Sequence, residues 1–150
     1  MELLSNLSEE IKNAMRAKDS LKLESLRAIK SALLLAKTAS GGRGDLNEEE
    51  SIKLLQRLVK QRKESASIYK EQGRLDLADP EKAQAEIISS FLPEQLSEDE
   101  VVKIVSDIIS QTGAHGIKDM GKVIGIANKK LGGKAEGKLI AELVKKKLSS

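Results

Sequence analysis

Residues 119–148 read DMGKVIGIANKKLGGKAEGKLIAELVKKKL, and this stretch decides the fold class. Its apolar residues recur every three or four positions on both sides of the glycine pair at 132–133. They are Met120, Ile124, Ala127 and Leu131 before the pair, and Leu139, Leu143, Val144 and Leu148 after it. This spacing places each set on one face of an α-helix. We therefore predict two helices, 117–131 and 135–148, joined at the glycines.

The joint itself, GGKAEGKL at 132–139, nearly matches the phosphate-binding loop pattern G-x-x-x-x-G-K-[ST]. Gly132, Gly137 and Lys138 have the required spacing. However, Leu139 stands where a Ser or Thr must hold magnesium, and the preceding segment has a helical rather than a strand pattern. The sequence therefore excludes nucleotide hydrolysis by this loop. The start of the following helix still offers backbone N–H groups and a dipole that favour an anion.

The helical period continues through the rest of the chain, so the predicted fold class is all-α. Four helices are predicted before residue 93: one with Leu7 and Ile11, one after Asp19, one from Asn47 to Gly73, and one from Asp79-Pro80 to Leu92. The second and third should form a long antiparallel hairpin across the loop SGGRGD, residues 40–45. The run Leu33–Leu35 widens the apolar stripe of the second helix, which should be buried on more than one side.

Pro93–Gln95 mark the predicted boundary between two domains, 1–94 and 95–150. Directly after the boundary, Ser97 and Glu100 have the spacing of a capping box, which starts a helix. We therefore predict an N-terminal helical domain that contains the long hairpin, followed by a small three-helix C-terminal domain.

Positive charge is concentrated near the C-terminus. Residues 1–96 hold equal numbers of basic and acidic side chains, whereas residues 118–147 hold nine Lys and three acids. Lysine without arginine suits diffuse phosphate contacts, although a solvated helical face is the commoner meaning of such a run. The only aromatic residues are Tyr69 and Phe91, which disfavours the stacking of unpaired bases. The candidate RNA- or phosphate-binding residues are Lys122, Lys129, Lys130, Lys134, Lys138, Gly121, Gly133 and Gly137.

Two glycines lie inside the helix predicted at 117–131. Gly121 and Gly125 are four residues apart, and each costs about 1 kcal/mol relative to alanine in a helix. We therefore expect another group to approach their backbone closely. A neighbouring helix of the bundle is the favoured group, and an RNA backbone is the alternative.

Several function classes are excluded or unsupported. There is no cysteine and a single histidine, His115, so thiol chemistry, zinc–thiolate sites and histidine-rich metal sites are excluded. We predict no catalytic residue, no metal ligand and no cofactor. The start MELLSNLSEEIKN lacks the apolar run of a signal peptide, and no stretch approaches the ~20 apolar residues of a membrane span. A cytoplasmic protein without membrane contact is expected.

Three stretches resemble the GatB/YqeY family: 119–148, YKEQGRLDLADPEKAQAEIISSFLPEQLSEDE at 69–100, and KDSLKLESLRAIKSAL at 18–33. The C-terminal part also resembles the tail domain of the B subunit of the glutamine-dependent aspartyl/glutamyl-tRNA amidotransferase. The resemblance implies a helical domain followed by a three-helix domain. It also implies tRNA contact by the latter, and it brings the family label of carbon–nitrogen ligase activity with glutamine as amido-N-donor.

Two family motifs can be placed on this sequence. The Met-Gly-Lys-Val stretch falls on 120–123, and the Gly-Arg-Ala-Asp-Gly-Lys-Leu stretch falls on 133–139. Lys134 and Glu136 replace the family's Arg and Asp conservatively. If the Arg makes a bidentate phosphate contact, Lys134 weakens it.

Two hypotheses follow, and a third lacks support from the residues. The first is an accessory protein that binds tRNA or another structured RNA through its basic C-terminal domain. The second is a protein-interaction module that docks through residues 19–72 onto an amidotransferase or a translation protein, without RNA binding. It is motivated by Arg62 within an apolar seam and by Leu33–Leu35. The third, a catalytic amidotransferase component, finds no catalytic constellation in the chain.

Overall fold

A computed structural model describes residues 6–39, 41 and 46–149. Within these residues the chain is helical and contains no strand. The helices are α1 (Leu7–Arg16), α2 (Ser20–Ala39), α3 (Glu48–Glu71), α4 (Leu75–Ser89), α5 (Glu98–Thr112), α6 (Met120–Leu131) and α7 (Gly137–Leu148), with a short 3₁₀ turn at Ile117–Asp119. The all-α prediction is confirmed. Apart from Gly41, the loop predicted at 40–45 lies outside the described residues.

The helices are grouped into two compact units, Met1–Leu92 and Pro93–Ser150. Each unit has its own apolar core. The division lies close to the predicted boundary at 94/95, and each unit is described separately below.

In the first unit, α3 packs most extensively on α4, and α2 contacts α4 more than it contacts α3. This corrects the prediction of a long hairpin between the second and third helices. The short turn Gln72–Arg74 forces α4 back along α3, whereas α2 and α3 are connected through residues 40–47. The turn is closed by the Arg74 N–H, which donates to the Tyr69 carbonyl oxygen at 2.8 Å.

The core of the first unit is aliphatic, as the scarcity of aromatic residues requires. Its fully buried large side chains are Leu26, Ile29, Leu55 and Ile88. A polar bridge crosses the three longer helices of the unit: Arg62 Nε donates to Gln84 Oε1, and Gln84 Nε2 donates to Glu24 Oε2, both at 3.1 Å. The Arg62 side chain is therefore hydrogen-bonded within the unit, and its position in the apolar seam no longer indicates a docking surface.

The run of leucines in α2 differs from its prediction. Leu33 packs partly against the core, but the side chains of Leu34 and Leu35 are 56% and 71% exposed. The expectation that α2 is buried on more than one side is therefore wrong for its second half. The helix lies on the outside of the unit there, and nothing in the described chain covers these two leucines.

The second unit packs α5, α6 and α7 around one core. Each of the three helices contacts the other two. The α5 helix begins with the predicted capping box, in which the Glu100 N–H donates to Ser97 Oγ at 3.2 Å and the Ser97 N–H donates to Glu100 Oε1. It ends at Gly113, whose φ of +66° is favourable for glycine. The core residues include Val101, Val105 and Ile108 of α5.

Candidate nucleic-acid interface

The α6 helix separates its apolar and polar residues onto opposite sides. Val123, Ala127 and Leu131 are buried at the four-residue spacing that keeps one face against the core. At about 100° per residue, one exposed side of α6 carries both glycines and two lysines, while a third lysine lies round toward a flank. The residues of the exposed side are Gly121, Lys122, Gly125 and Lys129, and the lysine on the flank is Lys130.

Open space lies above the two glycines of α6. A methyl group built on Gly121 or Gly125 would meet no atom within 4 Å outside the local helix backbone. Neither residue has a positive φ, so the backbone conformation does not require glycine. The expectation that a neighbouring helix of the bundle packs against them is therefore wrong. The glycines instead leave a strip of bare helix backbone at the surface, beside Lys122 and Lys129.

The joint between α6 and α7 is held in place by the segment that leads into α5. The Leu96 N–H donates to the Lys134 carbonyl oxygen at 2.9 Å, and Gln95 Nε2 donates to the Gly133 carbonyl oxygen. Gly133 has a φ of +79°, a conformation that favours glycine. The backbone of the joint is thus fixed, while the Lys134 side chain remains exposed. The sequence analysis did not find the part played by Gln95, because it depends on contact across 38 residues.

The start of α7 has some of the features of an anion site. The helix begins at Gly137 rather than at the predicted residue 135, and Lys138 is exposed in its first turn. The first N–H groups of any helix lack intrahelical partners and form the positive end of its dipole. Glu136, at the N-cap, makes no side-chain capping bond there. Because its carboxylate lies at the same end, it offsets part of the positive charge, so α7 alone does not form a phosphate cradle.

The predicted site residues therefore lie along α6, the joint and the first turn of α7, all within the second unit. All are exposed except Gly133, which is half-buried. In the described part of the chain, none of the five lysines forms an ion pair. The exposed lysines are thus spread over two helices and the segment between them. Such a surface suits a polyanion whose phosphates are spread over a similar length.

Other chemical groups in the unit have structural roles. His115 is exposed after α5, where its backbone N–H donates to Asp119 Oδ2 at 3.0 Å. Its ring Nδ1 lies 3.4 Å from the Gly113 carbonyl oxygen. Among the described residues, no group of three or more acidic or histidine side chains is placed to hold a metal ion. No helix in the same residues is long and apolar enough to cross a membrane.

Comparison of the sequence with known proteins finds a matching family model and several relatives. The family model described as Yqey-like protein matches residues 4–148. A protein named "Altered inheritance of mitochondria protein 41, mitochondrial" from Lachancea thermotolerans is 30% identical over 113 residues, which cover 74% of this chain and 60% of that protein. The protein of the same name from Clavispora lusitaniae is 34% identical over 102 residues, which cover 67% and 58%. The chain thus spans less than two thirds of these relatives.

A third relative is, by its name, part of an amidotransferase. The E subunit of glutamyl-tRNA(Gln) amidotransferase from Thermococcus gammatolerans is 37% identical over 73 residues. The match covers 46% of this chain but 12% of that relative. The shared part is therefore a small portion of a much larger protein.

Proposed function

This chain belongs to the Yqey-like protein family, and we propose that it is an accessory protein that binds tRNA or another structured RNA. The binding surface is formed by α6, the joint and the start of α7. We call this the lysine face, and it consists of Gly121, Lys122, Gly125, Lys129, Lys130, Gly133, Lys134, Gly137 and Lys138.

One observation carries the proposal. Five lysines are exposed along the lysine face, none is in an ion pair within the described residues, and bare helix backbone lies beside two of them. When such lysines neutralise RNA phosphates, the cations condensed on the RNA are released, and this release is the main source of affinity for a nucleic acid backbone. The open glycines remove side chains that would keep a phosphate–ribose strand away from α6.

Structured RNA fits this surface better than a single strand. Recognition of unpaired bases relies on aromatic platforms, and the second unit contains no aromatic residue. A folded RNA is bound through its shape and its backbone, for which lysines and backbone N–H groups are sufficient. The name of the amidotransferase relative refers to a tRNA, and the match to that protein makes tRNA the first RNA to test.

We propose no amide-transfer chemistry for this chain, although the family resemblance brings the label of carbon–nitrogen ligase activity with glutamine as donor. Because the sequence offers no catalytic constellation, we expect the purified chain to produce no amidated product from misacylated tRNA and glutamine. An amidotransferase or a translation protein remains the proposed protein partner.

Filter binding with total tRNA at two salt concentrations tests the proposal. We expect binding at low salt that weakens steeply as salt rises, because phosphate contacts release counterions. The double change Lys122→Glu with Lys134→Glu should abolish it. The matched control is Lys63→Glu with Lys70→Glu, which makes the same charge change at exposed positions of α3 and should bind tRNA as the unchanged chain does.

Three results would reject the proposal. One is no binding of tRNA at low salt, as the protein-interaction alternative predicts. Another is binding that Lys122→Glu with Lys134→Glu leaves unchanged. The third is equal loss of binding in both double variants, since this would show a dependence on net charge without a site.

The cytoplasm is the proposed location. The two yeast relatives are named as mitochondrial, so an organelle is the alternative location. Cell fractionation followed by detection of the chain tests it, and recovery in an organelle fraction would contradict it.

A further inference from the structure

The second half of α2 exposes apolar side chains and buries none of its residues. All three buried residues of α2, Ser25, Leu26 and Ile29, lie in its first half, and no residue of 30–39 is buried. Yet 30–39 contains the three consecutive leucines. Scattered exposed leucines are normal on protein surfaces. Two adjacent ones, 56% and 71% exposed on a thinly packed helix, indicate a surface that another molecule covers.

The exposed side of this half-helix has a defined chemistry. Residues 27, 31, 34, 35 and 38 recur every three or four positions and share one side of α2. We call it the α2 face, and it consists of Arg27, Ser31, Leu34, Leu35 and Thr38, together with Lys30, which lies at its edge one turn before Leu34; all are exposed. No acidic residue occurs between 25 and 39. The Thr38 hydroxyl donates to the Leu34 carbonyl oxygen at 2.9 Å and so is satisfied by its own helix. The face therefore combines two leucines with two cations.

We propose that the α2 face binds an acidic amphipathic helix of a partner protein. Leu34 and Leu35 would provide the apolar contact, and Arg27 and Lys30 would meet carboxylates that flank the partner's apolar side chains. This pairing is complementary both in charge and in apolar surface, as contacts between amphipathic helices are. It is independent of RNA binding, because the lysine face lies in the other unit.

Three other occupants fit less well. An RNA backbone would use the cations but would leave both leucines in water. A membrane surface requires a broad apolar face, and here Ser31 and Thr38 interrupt the leucines. A second copy of this chain, paired by two-fold symmetry, would bring the same cation-bearing face against itself with no acid between 25 and 39 to meet it, and Glu24, one turn before Arg27, is bonded to Gln84.

Site-specific photo-crosslinking in cells tests the proposal on the full chain. A benzophenone amino acid at Ser31 lies on the α2 face, and one at the exposed Ser67 of α3 is the matched control. The expected product at Ser31 is an adduct with a protein segment rich in Asp and Glu, with apolar residues at helical spacing. Arg27→Glu with Lys30→Glu should reduce it about tenfold or more, whereas Lys63→Glu with Lys70→Glu should not.

The purified interaction should then repeat the pattern. A synthetic peptide of the crosslinked segment should bind the full chain, more weakly at high salt, and Leu34→Ala with Leu35→Ala should remove the binding while the far-UV circular dichroism stays unchanged. The proposal is overturned by an adduct with RNA, lipid or a second copy of this chain. It is equally overturned by a Ser31 yield no higher than at Ser67, or by a crosslinked segment without acidic residues.

Discussion

Lys18, between α1 and α2, has an unusual backbone conformation. Its φ is +55°, and it is the one non-glycine residue with a positive φ among those described. The chain reverses there, because the Asp19 N–H donates back to the Ala14 carbonyl oxygen at 3.0 Å. A side chain in this region of φ carries strain that glycine does not.

Lys18→Gly should therefore stabilise the first unit by about 0.5–1 kcal/mol. This net value is the strain energy that glycine relieves, minus the cost of ordering its more flexible backbone on folding. Urea unfolding followed by the fluorescence of Tyr69, the only tyrosine in a chain without tryptophan, measures it. Lys12→Gly, in the interior of α1, is the control and should destabilise by about 1 kcal/mol. Equal destabilisation by both changes would contradict the assigned conformation.

Asp76 and Arg74 form a two-bond pair at the start of α4. Arg74 Nε donates to Asp76 Oδ1 at 3.0 Å, and Arg74 Nη2 donates to Asp76 Oδ2 at 2.9 Å. These hydrogen bonds lower the pKa of the Asp76 carboxyl below its ordinary 3.8. Since the folded pKa is the lower one, the pair stabilises the fold above pH 3.8, and this stabilisation is lost as the pH falls through the folded pKa. Both side chains are exposed, so the effect is small.

Arg74→Gln should raise the pKa of Asp76 toward its ordinary value. A pH titration of the side-chain carboxyl carbon by NMR measures this directly, and 1 M salt should produce a partial shift in the same direction by screening the charges. If the pKa of Asp76 is identical in the unchanged protein and in the Arg74→Gln variant, the Arg74–Asp76 pair does not persist in solution.

The capping box is the element-scale feature that most clearly determines a helix start. Ser97→Ala removes the acceptor of the Glu100 N–H and should destabilise the second unit by about 1 kcal/mol. Hydrogen exchange of the α5 amides measures it, with faster exchange expected throughout the helix. Ser110→Ala, at an exposed interior position of α5, is the control and should leave exchange unchanged or slower, because alanine favours helix. Faster exchange in the Ser110→Ala variant but not in the Ser97→Ala variant would contradict the role of Ser97 as the N-cap of α5.

The start of a helix can be predicted from the sequence where an N-cap residue precedes it. It is harder to predict where tertiary packing sets the first helical residue. Ser97 accepts the expected backbone bond in the structure, and Asn47, at the predicted start of the third helix, accepts the corresponding bond from the Glu50 N–H. In contrast, α4 begins at Leu75, ahead of the predicted Asp79-Pro80, because Ala78 is buried and its N–H bonds to the Arg74 carbonyl oxygen. Pro80 removes one backbone donor from the helix interior, and the helix nevertheless continues through it to Ser89.

The start of α7 is a second case in which tertiary contacts, and not a local pattern, set the first helical residue. The spacing predicts that Ala135 is helical, but it is buried in the core as part of the joint, which Leu96 and Gln95 hold through its carbonyl oxygens. These contacts are between residues distant in sequence, so no local pattern indicates them.

The surfaces are harder to predict than the fold. Periodicity identifies which residues of α6 are apolar, and Val123, Ala127 and Leu131 are buried accordingly. It does not show whether a helix of the same chain covers Gly121 or Leu35. The structure leaves both uncovered, and these two positions belong to the two proposed binding surfaces.

At the scale of the whole molecule, the two units have different surfaces. The second unit carries the lysine face, and the first carries the α2 face with its two exposed leucines. A family member of this kind would hold an RNA with one unit and a protein with the other. The central claim is the first of these, that α6 lies against RNA.

NMR titration of the ¹⁵N-labelled full chain with tRNA tests this claim most directly, because glycine amides resonate in a resolved region. We expect the Gly121 and Gly125 signals to shift or broaden at low salt and to recover at high salt, while Gly73, in the turn between α3 and α4, is unaffected. Unchanged Gly121 and Gly125 signals, or changes confined to the first unit, would contradict it.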